Sequence, residues 1–149
     1  MTYLELHTTI KAGIQETFNL SRNIDFHVDA ASQTMEEAIG GRTSGEIGLG
    51  ETVMWRGRHF GVYLTHTSLI SHFAKPRYFV DEMIKGNFTF FKHYHLFKKQ
   101  GDKTIMTDVL MYKVPFGIIG DLFNFFFLKR HLVKFLKHRN LTLKKTLEK

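Results

Sequence analysis

The chain has 149 residues, no cysteine, 43% hydrophobic residues and a formal net charge of +7. That length suits one domain, 1–149, which can bury roughly two thirds of its unfolded surface without a covalent staple, and the lack of cysteine excludes disulfides and thiolate-bound metals. The positive charge is concentrated at one end, where residues 118–149 carry eight Lys and Arg against Asp121 and Glu148; no helix-turn-helix, RNA-binding strand signature or zinc-finger pattern accompanies it, so nucleic acid is not an expected partner.

Met1 to Ile10 alternates polar and apolar residues and has neither a basic leader nor an apolar run, so it reads as a strand from Tyr3 rather than a secretory signal. An intracellular, cytoplasmic protein is the expectation. Two short helices follow, Ile14 to Leu20 and Asn23 to Ala31, with Ser21 or Asn23 available to cap the second. A glycine-rich stretch containing Gly40, Gly41, Gly45, Gly48 and Gly50 must bend repeatedly. Strand-like runs then succeed one another at Thr52 to Phe60, Val62 to Phe73, Tyr78 to Lys85, Phe88 to Lys99 and Lys103 to Val114. Their connections are short enough for antiparallel neighbours, and the whole gives six or seven strands.

From Ile118 to Lys149 the period changes. Ile118, Leu122, Phe125, Phe126, Leu132, Val133, Leu136, Leu143 and Leu147 recur at steps of three and four, the stripe of one long helix. The stripe must face the sheet. Phe123, Phe127, Leu128 and Phe135 widen its first half beyond what one sheet face covers, so that half is expected to line a cavity or meet a partner.

The element order and several words in the sequence resemble the helix-grip superfamily, which includes START-related lipid-transfer domains, polyketide cyclases and aromatases, coenzyme-Q-binding proteins and birch-pollen-allergen-like proteins. A small bacterial, cyclase-like branch is the nearest resemblance. It is carried by Ala38-Ile39-Gly40-Gly41, Thr52-Val53-Met54-Trp55-Arg56, Phe79-Val80-Asp81-Glu82-Met83 with Gly86, His93-Tyr94-His95-Leu96-Phe97, Met106-Thr107-Asp108 and Arg139-Asn140. The resemblance implies an α+β fold: a curved antiparallel sheet of about seven strands gripping the closing helix, with a ligand cavity between them. Its implication for chemistry is weaker, because one fold serves carriers, sensors and enzymes.

The residues also carry a reading of their own. A hairpin centred on Gly101-Asp102 pairs Gln100 with Lys103, Phe97 with Met106 and His95 with Asp108. His95 and Asp108 then stand roughly 5 Å apart at Cβ, within reach of a hydrogen bond, and His93 shares their face. Asp81 depends on register: a two-residue turn at Gly86-Asn87 points it away from His93, whereas one extra residue makes it face His93 directly. The resemblance favours the shared interior face.

Three readings fit His93, His95, Asp108 and Asp81. They can form a satisfied structural network, a polar anchor for a ligand in an apolar cavity, or a catalytic or metal site. His-x-His beside a carboxylate matches a three-ligand geometry but has no second signature, so neither metal nor cofactor is expected. Trp55 and Arg56 point to opposite faces of one strand, with Trp55 the lining residue and Arg56, with Arg58, at the rim or surface. Other candidates for the apolar wall are Phe79, Met83, Phe91, Phe97, Met106, Leu110, Phe123 and Phe126, for each of which plain core packing is the simpler reading.

No nucleophile elbow, phosphate-binding loop or dinucleotide fingerprint occurs. The expected function is therefore binding, carriage or sensing of an apolar or amphipathic small molecule, such as a lipid, quinone or polyketide-like compound. The alternative is a cofactor-free cyclase, aromatase or dehydratase using a His95–Asp108 dyad. Leu122 to Leu128, followed by Lys129 and Arg130, also suits peripheral contact with an anionic membrane. The sequence leaves oligomeric state open.

Overall fold

The computed structural model describes residues 1–149. Seven strands, β1 (Thr2–Ile10), β2 (Glu37–Gly41), β3 (Thr52–His59), β4 (Val62–Ala74), β5 (Tyr78–Lys85), β6 (Phe90–Gln100) and β7 (Lys103–Lys113), form one antiparallel sheet in the order β1-β7-β6-β5-β4-β3-β2. Consecutive hairpins build β3 to β7, while α1 (Ile14–Ser21) and α2 (Ile24–Ala30) carry the chain from one sheet edge to the other. Asn23 caps α2, its Oδ1 accepting the Phe26 N–H at 2.9 Å. The closing segment comprises α3 (Gly117–Phe123), a π-helical stretch at Asn124–Leu128 and α4 (Lys129–Leu147).

Two features depart from the sequence reading. β2 falls in the glycine-rich stretch, where weak strand propensity hides it; its pairing with β3 slips at a bulge between Ala38 and Gly40. The closing stripe does not face the sheet throughout. Leu136, Arg139, Asn140 and Leu143 are buried, but Ile118, Leu122, Phe125 and Phe126 of its first half are exposed. Asn124 pins this half by its polar side chain instead, accepting from the Tyr112 hydroxyl at 2.6 Å and donating to Thr2 Oγ1 at 2.9 Å. Gly120 lets the start of α3 close on the preceding turn, since a Cβ there would strike the Pro115 carbonyl.

Strand alternation is clearest in β7, whose Thr104, Met106, Asp108, Leu110 and Tyr112 are buried while their neighbours are not. The apolar interior divides in two. One core gathers around Phe18 of α1, which meets Phe73, Phe79 and Phe97 edge to face at 5.3–5.5 Å. The other joins Leu4, Leu110 and Tyr112 to Leu136 of α4. The candidate site lies between them.

Candidate functional site

The turn from β5 to β6 contains the extra residue, so Asp81 pairs with His93 and Phe79 with His95. On the other side, β6–β7 pairing sets His95 opposite Asp108 and Phe97 opposite Met106, as the hairpin at Gly101-Asp102 requires. Asp81, His93, His95 and Asp108 therefore point to one interior face. Their rings form a row: His95 stacks on Phe79 at 4.2 Å and on His93 at 3.8 Å. This row turns the imidazole edges toward the carboxylates on either side.

Hydrogen bonds then run diagonally across the ladder. His93 Nε2 lies 2.8 Å from Asp108 Oδ1, and His95 Nε2 lies 2.6 Å from Asp81 Oδ2. The expected His95–Asp108 dyad is thereby corrected. His95 Nδ1 is 3.7 Å from Asp108, beyond hydrogen-bond reach, because stacking on Phe79 holds the ring tilted toward Asp81. Asp108 is completed from the closing helix, accepting from Asn140 Nδ2 at 2.7 Å with Arg139 at 3.5 Å.

Burial and charge shape the ionisation of this group. Burial raises the Asp81 carboxyl, but the His95 hydrogen bond and the imidazoles of His95, His93 and His66 outweigh it and leave it at about 2. Asp108 is likewise raised by burial, yet Arg139 and then His93 hold it well below the usual carboxylate range. His95 is pushed down to about 4, by burial first and then by His93, against the pull of Asp81. Both carboxylates are thus anionic at neutral pH while His95 is neutral.

Above this network, between the sheet and the closing helix, is a cavity of about 550 Å³, a size suited to a drug-sized ligand. Its walls include Trp55, Phe79, Asp81, His93, His95 and Phe123 from the sequence candidates, with Phe91 and Leu110. The remaining candidates lie elsewhere. Asp108, 1% exposed, sits behind the histidines. Phe97 and Met106 are sealed under α1 by Phe18 and by the Ser21 hydroxyl, which donates to Met106 Sδ at 3.5 Å. Met83 is drawn to the sheet rim beside Gly86 and His66, next to the β4 bulge at Thr67/Ser68. Phe126 points outward, half exposed, against Phe125. Arg56 lies on the opposite sheet face over the Tyr63 ring, at 4.4 Å.

Sequence reasoning missed most of the polar lining. His27, His59, His66 and His131 join His93 and His95, so six of the nine histidines face one cavity. Strand parity held a signal for two of them: His59 is four residues from Trp55 on β3, and His66 pairs directly with Trp55. A second polar group forms near the mouth, where His59 Nδ1 meets His131 Nε2 at 2.8 Å and Glu36 lies 3.6 Å from His59. Gly57 makes room for that carboxylate, which any side chain there would displace. Burial lowers the pKa of His66 and, to about 4, that of His27.

The mouth opens onto an apolar surface. Phe116, Ile119 and Phe123 line the cavity yet remain exposed, and Ile118, Leu122, Phe125, Phe126 and Phe127 extend the patch along the helix. Phe123 is 41% and Phe127 59% exposed. Eight large apolar side chains exposed within twelve residues are unusual for a monomer.

No protein-family model matches the sequence, and no curated protein matches it. Similarity emerges from solved structures. The KanY protein superposes with a TM-score of 0.78 at 12% identity, covering 99% of this chain and 98% of its own. A START superfamily protein from Mycobacterium smegmatis gives 0.74 at 12%, covering 98% and 97%. The major latex-like protein 151 of Panax ginseng gives 0.70 at 12%, with the same coverage. At these identities the likeness concerns the fold. Seven antiparallel strands around a long closing helix, shared over nearly the full length with START and latex-like proteins, show that this chain has the helix-grip fold.

Proposed function

We propose that the protein binds and carries an apolar or amphipathic small molecule in the cavity between its sheet and closing helix. The cavity itself supports this reading: about 550 Å³, walled by aromatic and aliphatic side chains, with polar groups confined to particular points. Asp81 accepts hydrogen bonds from a ligand hydroxyl, His95 and His93 orient a carbonyl or hydroxyl, and the rest of the ligand lies against Trp55, Phe79 and Phe91. A lipid, quinone or polyketide-like compound has this division. Native mass spectrometry of protein purified from cells, followed by extraction of the bound compound, tests it. A co-purifying amphipathic molecule lost in a Trp55→Ala/Phe91→Ala variant is expected; a protein that never retains or takes up any apolar compound overturns the reading.

The membrane is the source that the exposed patch favours. Phe123, Phe125, Phe126 and Phe127 are followed, after Leu128, by Lys129 and Arg130, all six exposed, so aromatic rings can enter an anionic leaflet while cations meet its headgroups. No helix is long and apolar enough to cross a membrane, so contact is peripheral. Binding to phosphatidylserine-containing vesicles in flotation is expected, weakened by salt and by Lys129→Glu/Arg130→Glu. Absence of flotation at low salt would remove this part alone.

One observation favours a second reading. His95 lies in the cavity wall with Asp81 at 2.6 Å, a pair able to move a proton on a bound carbonyl compound as a cyclase or dehydratase does. A folded His95→Gln variant that binds ligand but no longer converts it supports catalysis, and unchanged ligand recovered from the wild type excludes it.

A further inference from the structure

We infer that Asp81, His93 and His95 form a site for a divalent first-row transition-metal ion in the cavity wall. One ligand atom from each of these three residues lies within 4.8 Å of the others. His95 Nε2 and His93 Nδ1 lie 2.6 and 3.9 Å from the same Asp81 oxygen. An ion held at about 2.0–2.2 Å from each ligand separates neighbouring ligands by roughly 3 Å. His93 has to close by about an ångström and His95 to open by a few tenths, movements within the range of side-chain torsions.

Hydrogen-bond accounting supplies an independent observation. A neutral imidazole has one N–H. If His95 carries it on Nε2, toward Asp81, then Nδ1 presents a lone pair to Asp108 at 3.7 Å; if on Nδ1, then Nε2 presents a lone pair to Asp81 at 2.6 Å. The first tautomer leaves the buried Nδ1 of His95 without a hydrogen-bond partner, and the second sets a lone pair against the Asp81 carboxylate. A cation beside Asp81 resolves the conflict. Both imidazoles then turn their lone pairs to the ion and their N–H groups to Asp108, the arrangement in which a carboxylate behind metal-bound histidines fixes tautomer and orientation. Asp108 is held for that role by Asn140 and Arg139.

The charges agree. Of the two carboxylates only Asp108 has a fixed cation beside it, Arg139 at 3.5 Å, so Asp81 adds a negative excess beneath an apolar cavity. Two nitrogens and one carboxylate suit zinc, iron, cobalt or nickel rather than calcium or magnesium, which prefer oxygen alone. Coordination positions on the cavity side remain for an oxygen of the bound molecule. This last point rests on the cavity reading, whereas metal binding does not.

Chelator-treated protein, titrated calorimetrically with Zn²⁺ and Co²⁺ without any organic ligand, tests the site. One ion per chain is expected, with affinity falling at least about 100-fold in Asp81→Asn and about 10–100-fold in Asn140→Ala. His131→Ala, in the second histidine group, should retain wild-type affinity. No binding by the wild type, equal binding by Asp81→Asn, or loss in His131→Ala would each overturn the proposal. Should the Asp81 variant fail to fold, proton NMR of the wild-type Co²⁺ form decides: paramagnetically shifted N–H signals from two imidazoles are required, and their absence refutes the site. Ligand uptake measured with chelator present separates failure of the metal site from failure of the carrier reading.

Discussion

His95 sits between two carboxylates with burial opposing its charge, and this determines how the fold responds to acid. The unfolded chain protonates His27 and His95 near 6.5, whereas in the folded protein each does so only at about 4. Between those values the unfolded state binds more protons, so the stability these residues contribute is complete above pH 6.5 and is lost as pH falls toward 4. Asp81, with its carboxyl lowered from 3.8 to about 2, extends the loss through that lower range. Thermal denaturation across pH 3–8 should show a midpoint that declines steadily below pH 6.5, and less steeply in His95→Gln; a flat profile from pH 7 to 4 would contradict the assignment. A second expectation concerns Asp108. Replacing it with Leu leaves Arg139 buried without a counter-charge and should cost about 3–5 kcal/mol in urea denaturation, against under about 1.5 kcal/mol for the volume-conserving Met106→Leu.

Among the elements, the closing helix divides its work between two halves. α4 packs on the sheet through Leu136 and Leu143 and supplies Arg139 and Asn140 to the network. α3 and the π-helical stretch leave most of their apolar side chains exposed and are tied to the sheet by Asn124. π-stretches of this kind often occur at functional sites, where they shift side-chain register without ending a helix. Asn124→Leu leaves the Tyr112 hydroxyl without its acceptor and should cost about 1–3 kcal/mol. The effect should be local: hydrogen exchange should quicken across residues 117–128 while β6 and β7 stay protected. Uniform loss of protection would mean that this half is not an independent unit.

At the scale of the molecule, the cavity separates two cores that would otherwise merge. Residues of both cores line it, so the fold keeps open an interior space that close packing would have filled. Ser68, buried at the cavity wall, offers a direct test. Ser68→Leu places an apolar side chain into that space and should raise the thermal midpoint by several degrees, on the order of 1 kcal/mol, while reducing uptake of an apolar fluorescent probe at least tenfold. A lowered midpoint would indicate that the space is too tight for a ligand of the proposed kind.

Period and turn chemistry identified every strand but β2, and the closing helix, from the sequence alone, while the resemblance to helix-grip proteins supplied their arrangement. Alternation marked six strands, the hairpin at Gly101-Asp102 set His95 opposite Asp108, and steps of three and four marked the closing helix. These are local properties, dictated by the pleat, the turn and the helical repeat. Tertiary structure decided the rest. Register placed His95 opposite Asp108, but the ring stack on Phe79 sent its hydrogen bond to Asp81 instead. The apolar stripe read as continuous, yet only its second half meets the sheet, because the first half is held by Asn124 and faces outward beside the cavity mouth. His27 and His131 come from two helices far in the chain from each other and from the β3–β4 hairpin that carries His59 and His66, so their arrival at the same cavity follows from how the sheet curves around the helix. No local pattern encodes a meeting between residues whose only common property is the space they enclose.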